Sequence, residues 1–563
     1  MADSQGGGTA VVRAGGHNDG EATPHPTHGA VLASVESVFC RREGSASAAV
    51  SRPRLFTRPS TTRRDRPRVA SVRHEDIPDV LKCMSDVMGF SGGNAAGDTA
   101  NVTPKWERDH SAVVFDVDAL RAAFAAVRHA FPPHWRHCLA IKSCPLAFVI
   151  EEALEAGLGI EAASIVELYM ALAHGCPPDL VAFDSPAKTH EELEMALSRG
   201  TLVNANSFDE LDRIDAILRR QEATAGVSAS LTTARVGIRI NPLVGAGTIS
   251  ELSVSVPTSK FAVPATSSNI LAVVEAFRRW PWLIALHTHV GSQGFSLDQL
   301  AEGIATLCNI ADAVDGELGK GRVALLDIGG GLPVNYGSDE VSPSFDEYAA
   351  VLRKAAPSIF ENTQRTVVTE FGRALVAKSA LTVSVVEYVR RNVPDHGTAE
   401  EDMTDTESAA TKTAKNGSIV AASDIEVPKP SSSPVHQTLV THVGADLFLR
   451  SSYCPGKYCH RLSMYGKMGK PLGGTFVSTD VAGPLCFQGD YVARGSRLPR
   501  ATPGDMLVVH DTGANTLSLF SRHCSRRLTA VYGYTRDEDG QIRVRLVKGK
   551  ESIQDVARFW GAR

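Results

Sequence analysis

The chain has no uninterrupted apolar run of about 18 residues, so no segment is expected to span a bilayer. It has no C-x-x-C pair either. Its ten cysteines are scattered, and the closest pairs, Cys138/Cys144 and Cys454/Cys459, lack the companions a zinc site needs. This usage suits a reduced intracellular protein, with the cytoplasm as the expected location. Positive charge is not in excess: a formal charge of −5 argues against a nucleic-acid footprint and a basic membrane stripe. No paired Asp/Glu signature or Ser–His–Asp order marks a hydrolase.

What is present is length and apolar content. With 563 residues, 43% of them hydrophobic, the chain can build two domains or more with sizeable cores. The first part differs from the rest. "MADSQGGGTA" and "THGAVLASVES" show no helical or strand period, and residues 1–105 read as a largely irregular extension. Within it, "RRDRPRVASVR" has the arginine and serine content of transit peptides, which makes a plastid location the alternative. Met84 and Met88 read as one face of a short helix. Residues 395–434, rich in Ser, Thr, Ala and acids, read as a solvated insertion.

Between these segments, short apolar runs alternate with helical patterns. "CLAIK" precedes "PLAFVIEEALEAG", "LVAFDSP" precedes "THEELEMALSRG", and "RVGIRINP", "LIALHTHVGS", "ALLDIGGG" and "TVVTEFGR" follow. Such repeats imply a parallel sheet with helical crossovers, and about eight units over residues 136–376 predict an α/β (β/α)8 barrel of TIM type. An open doubly wound sheet is the alternative. After Ala377 the segments are β-rich and separated by Gly, Pro and Asp turns. A β-barrel or β-sandwich domain over residues 377–563 is expected, joined by residues 106–135.

In a (β/α)8 barrel, functional side chains gather where strands end. Lys142 ends "CLAIK", Arg239 ends "VGIR", His289 ends "LIALHTH", Gly329, Gly330 and Gly331 follow "ALLDI", and Glu370 ends "TVVTE". Alone, Lys142 would more often be a surface lysine and Glu370 a solvated carboxylate. Together the set suits one cofactor. A lysine can hold an aldehyde as a Schiff base, and a glycine turn lets backbone N–H groups approach a phosphate. A carboxylate can pair with a pyridinium nitrogen, and an imidazole can stack on a flat heterocycle. These describe pyridoxal 5'-phosphate.

The sequence resembles the fold-type III pyridoxal-phosphate decarboxylases, the family of diaminopimelate and ornithine decarboxylases. "AIKSCP", "GIEAASIVEL", "FDSPAKTHEELEMAL", "TSKFAV", "HTHVGSQG", "LDIGGGLP", "EFGRALVA", "GPLCFQGD" and "DTGA" appear in the family's order, and "HVGSQ" and "SPAKTHEELE" look most like diaminopimelate decarboxylase. The resemblance implies that Lys142 carries the cofactor, His289 stacks on its ring and Glu370 pairs with the ring nitrogen. Ser292, Gly330, Gly331 and Arg373 would hold the phosphate, and Glu161, Ser164, Arg239 and Lys260 match supporting positions. Cys486 matches a cysteine that reprotonates the substrate carbon from a partner subunit, which implies a two-fold homodimer. Lys142 would need a free amine, so a lowered pKa is expected there.

Three positions depart from the family. Phe487 replaces the usual acidic residue that reads a distal amine, Asn515 replaces a tyrosine that touches cofactor and substrate, and Phe371 replaces a proline. Arg450, in "LRSSYCPGKYCHR", is a candidate for a distal carboxylate, while His460 and Cys459 read as structural. The expected activity is decarboxylation of a basic amino acid of diaminopimelate type. The alternatives are an ornithine or lysine decarboxylase of either chirality, a racemase on the same barrel, and an inactive homologue that binds partner proteins.

Overall fold

The structure, a computed structural model of the chain, describes residues 71–87, 109–225, 234–392 and 436–563. The first strand, β1 (Ser111–Asp116), leads through the helix Val117–Ala130 into the alternating region. There the strands are β2 (Arg136–Ala140), β3 (Gly159–Ala162), β4 (Val181–Asp184) and β5 (Leu202–Ala205). They continue with β6 (Arg235–Asn241), a two-residue β7 (Val263–Pro264), β8 (Leu283–His287), β9 (Leu325–Asp327) and β10 (Thr366–Phe371). Parallel pairing runs β2-β3-β4-β5-β6-β8-β9-β10 and closes from β10 back to β2, an eight-stranded TIM-type barrel, with β7 only flanking β6. The closed ring excludes the open-sheet alternative.

The local sequence explains the crossovers. Helices His190–Ser198, Leu297–Leu318 and Phe345–Ala355 each begin with a capping box, from Thr189/Glu192, Ser296/Gln299 and Ser344/Glu347. Each box satisfies two backbone donors that a helix start leaves unpaired. Inside the barrel, Cys138, Ala182, Leu202, Ala285, Leu325 and Val368 form a small apolar layer, one residue from each of six strands. That layer plugs the barrel near the strand starts and leaves polar side chains at the strand ends.

The rest of the chain forms a second sheet from β11 (Ala380–Asn392), β12 (His436–Thr441), β13 (Leu462–Tyr465) and β14 (Phe476–Ala482). It continues with β15 (Tyr491–Pro499), β16 (Met506–Val509), β17 (Ala530–Arg536) and β18 (Ile542–Lys548). Strand β1 lies inside this sheet, antiparallel to β11 and parallel to β17.

Part of the N-terminal extension is helical, as the reading of Met84 on a short helix expects. Residues 71–87, inside the segment read as irregular, contain the helix Ile77–Val87. Ile77, Val80, Leu81 and Met84 recur at helical spacing and are buried against Val114, Val383, Val508 and Tyr532 of the sheet. Just before this helix, the buried Asp76 ion-pairs with Arg536. The remainder of residues 1–105, including Met88 and all but the last three residues of the arginine-rich run, and the 395–434 insertion lie outside the described residues. Among the described residues no helix is long and apolar enough to cross a membrane.

Candidate active site

Strand β2 ends at Ala140, and a single 3-10 turn, Ile141–Ser143, carries Lys142 to the barrel mouth. Its Nζ lies 2.6 Å from Oε1 of Glu161 on β3; the glutamate side chain is fully buried and the lysine side chain is 44% exposed. The lowered pKa expected for Lys142 is not found. Burial does disfavour its charge, but Glu161, Glu370 and Asp184 outweigh burial and hold it above its usual value. Burial in turn pushes Glu161 up to about 7, against the pull of Lys142.

Beneath this pair the strand ends form a floor of charge. Asp184, at the end of β4, accepts a hydrogen bond from Arg239 Nη1 at 2.7 Å and lies 3.5 Å from His287 Nε2. His287, at the end of β8, is also 3.3 Å from Asp327, whose other oxygen accepts from Asn204 Nδ2 at 2.8 Å. Burial lowers His287, but Asp327, Glu370 and Asp184 overcome it and raise it to about 10. Glu370 on β10 is pushed well above the carboxylate range by burial and by Asp327, with only His287 among its main influences opposing. Its Oε1 is buried without a hydrogen-bond partner among the described residues.

The sequence reading passed over Asp184, His287, Asp327 and Asn204. The signal was available, since "VAFD", "LIALH" and "LLD" each close a barrel strand on a polar residue.

A second wall starts at His289, two residues beyond β8. Its Nδ1 accepts from Gly330 N–H at 3.2 Å, and burial with Arg239 and Lys142 nearby keeps the ring neutral. The glycine turn cannot carry side chains. Gly329 and Gly331 have φ of 64° and 96°, and a Cβ on Gly330 would lie 2.1 Å from Glu370 O. Facing the turn, the buried Arg373 donates from Nη2 to Ser292 Oγ at 3.0 Å and from Nη1 to Tyr336 Oη at 3.1 Å and Tyr458 Oη at 2.5 Å. Neither tyrosine was singled out by sequence. Phe371, behind this wall, fills an aromatic cluster with Phe345, Tyr348 and Phe131.

On the open side, Asn515 donates its backbone N–H to Ser143 O at 2.7 Å, next to Lys142. Its φ of 57° is one that asparagine tolerates better than most residues. Arg450 donates from Nη2 to Asn515 Oδ1 at 3.2 Å and from Nε to Tyr453 Oη at 3.1 Å. The structure thus brings Arg450 and Asn515 to Lys142. Cys486 and Phe487 stand apart. Both are exposed, on the turn between β14 and β15, and no hydrogen bond joins them to the barrel mouth among the described residues. Asp490 pins that turn, accepting from the backbone N–H groups of Ala445 and Leu485. Ser164 caps the helix Ile165–Ala173, and Lys260 lies 5.1 Å from the Phe261 ring.

Comparison with known proteins agrees with this geometry. Residues 117–377 match the pyridoxal-binding domain of the pyridoxal-dependent decarboxylases, and residues 428–513 match their C-terminal sheet domain. Diaminopimelate decarboxylase of Helicobacter pylori is 26% identical over 79% of this chain and 94% of its own length. That of Pseudomonas aeruginosa is 25% identical over 74% of this chain and 85% of its own. The crystal structure of the Helicobacter pylori enzyme complexed with L-lysine shares the fold, with a TM-score of 0.62 at 22% identity over 82% of this chain and 97% of that one. A lysine/ornithine decarboxylase of Vibrio vulnificus complexed with cadaverine gives a TM-score of 0.54 at 20% identity over 73% and 91%. With both its barrel and its sheet domain matched, the chain belongs to the pyridoxal-dependent amino-acid decarboxylases, with pyridoxal 5'-phosphate as its cofactor.

Proposed function

We propose that the substrate is of diaminopimelate type, an amino acid with a second carboxylate at its far end, decarboxylated to a lysine-type product. Arg450 carries this reading. Its Nη1 is buried with no partner among the described residues, while its other nitrogens are held by Asn515 and Tyr453. A fixed, half-used guanidinium fork suits a planar carboxylate. The diaminopimelate decarboxylases among the relatives support the same substrate class.

The residues present suit the cofactor. Ser292 Oγ–H, Gly331 N–H and Arg373 Nε–H have no acceptor among the described residues, a donor set for a phosphate. Lys142, His289, Gly330, Glu370 and Arg239 would complete the cradle, with His289 against the ring face. When bound, the cofactor supplies an aldehyde for the substrate amine and an electron sink for the pair left by departing carbon dioxide. Glu370, kept protonated by burial and by its acidic neighbours, would hold a proton at the position facing the ring nitrogen. Glu161, whose Oε1 lies 2.6 Å from Lys142 Nζ, would hold and orient the lysine at the barrel mouth. The exposed Cys486 would deliver a proton to the substrate carbon in the site of a second copy, in a two-fold homodimer.

A screen of carbon dioxide release over meso-diaminopimelate, L- and D-lysine, ornithine and arginine tests the reading. Diaminopimelate should be the preferred substrate. Arg450→Gln should raise its KM about 10- to 100-fold, the worth of a charge-assisted hydrogen bond, with little change in kcat. Faster turnover of lysine or ornithine, or an unchanged KM in Arg450→Gln, would refute it.

A further inference from the structure

We propose that Tyr336 and Tyr458 act as a linked pair that donates one phenolic hydrogen to the cofactor phosphate, on the wall where Arg373 and Ser292 stand. The proposal rests on the placement of the phosphate given above. Its starting point is a hydrogen count. Arg373 Nη1 donates to both phenol oxygens, and Tyr458 donates to Tyr336 at 2.9 Å. The pair therefore holds two hydroxyl hydrogens and uses one of them internally. The other has no acceptor among the described residues, although Tyr458 is buried and Tyr336 is partly so. Polar hydrogens in such positions are ordinarily satisfied.

The direction of the free hydrogen follows from its neighbours. Arg373 Nη2 holds Ser292 Oγ at 3.0 Å, so the phenols and the serine hydroxyl are gathered by one guanidinium. Tyr336 follows the glycine turn in sequence by five residues, Gly331 to Tyr336, and belongs to the same loop. The Tyr458 ring lies 5.5 Å from the Arg373 guanidinium and 5.5 Å from that of Arg450, between the phosphate wall and the substrate side. A cation flanked by neutral donors is the environment that a phosphate dianion requires. Burial and the neighbouring Tyr458 hold the Tyr336 phenol above its usual pKa, against Arg373, so it stays a donor rather than becoming a repelling phenolate. Asn515, at the position where the family resemblance expects a tyrosine, hydrogen-bonds Arg450 instead. The pair thus restores a phenol to the site from two other segments of the chain.

The test separates phosphate contact from general support. Full-length protein and its Tyr336→Phe, Tyr458→Phe and doubly substituted forms are stripped of cofactor and titrated with pyridoxal 5'-phosphate and with phosphate-free pyridoxal, followed by fluorescence quenching. The double variant should bind pyridoxal 5'-phosphate about tenfold more weakly, as loss of a hydrogen bond to a charged group predicts, with pyridoxal binding unchanged. Each single variant should lose less, because the remaining phenol still has a hydrogen to give. If the double variant does not fold, a loss in Tyr336→Phe confined to the phosphate ester carries the same test. Equal losses for both ligands, or no loss for either, would overturn the proposal. Failure of the unsubstituted protein to prefer the phosphate ester would overturn the phosphate placement as well, which distinguishes the two failures.

Discussion

On the carboxylate floor of the site, His287 lies between Asp184 and Asp327 and is raised to about 10. On the guanidinium wall, His460 packs edge-on against Tyr336 and Tyr458 and is lowered to about 4. Burial disfavours the charged form of both rings. The opposite outcomes come from the neighbours: Asp327, Glu370 and Asp184 on one side, Arg373, Arg450 and Arg461 on the other. The floor is built of groups that exchange protons, while the wall is built of fixed cations and neutral donors. In the function proposed above, proton handling and anion binding therefore fall to different sets of residues.

The strongest way to break this comparison is at the floor. Lys142→Ala should abolish the visible absorbance of bound cofactor and reduce carbon dioxide release by at least about 10³-fold. Retained turnover, read by trapped carbon dioxide, would contradict the role given to Lys142. Glu370→Gln comes next. It should cost about 10²-fold in kcat with cofactor still bound, whereas Asp327→Asn should lower the His287 pKa, since Asp327 is the carboxylate that raises it most. An NMR titration of the imidazole resonances checks the second effect.

A smaller effect sharpens the wall. Arg450→Gln removes one cation facing His460, so the His460 pKa should rise from about 4 while that of His287 stays put. Equal movement of both rings would mean that the two sides are not electrostatically separate.

The smallest effect is on stability. Histidine in the unfolded chain titrates near 6.5; His287, raised in the fold, contributes stability that is complete below that pH and lost as pH climbs toward about 10. His137 has the opposite sign. Buried on β2 and bonded to Thr369 Oγ1 at 2.9 Å, it falls to about 4, so the unfolded chain takes up a proton that the folded chain refuses. Stability should therefore decline as pH drops from about 6.5 toward 4, and His137→Asn should flatten that decline in melting temperature. An unchanged acid arm would count against a neutral buried His137.

Much of this molecule was legible in residue order because a parallel barrel writes its period and its strand ends locally. "CLAIK", "ALLDIGGG" and "TVVTE" each place a polar or glycine residue at or just beyond an apolar run, and Lys142, the glycine turn and Glu370 sit at the barrel mouth for that reason. Of the helix Ile77–Val87 only a short piece at Met84 was legible, because its apolar spacing lasts only 11 residues within aperiodic surroundings and its stability comes from the sheet it covers.

Residue order alone determined the barrel, its strand-end chemistry and the cofactor class, since periodicity and punctuation act over a few neighbouring residues. Tertiary structure decided the rest. It placed β1 between β11 and β17, and it brought Tyr458 to Arg373 across 85 positions. It also kept Lys142 charged where a free amine was expected, because a pKa sums the fields of groups from distant strands, here Glu161, Glu370 and Asp184.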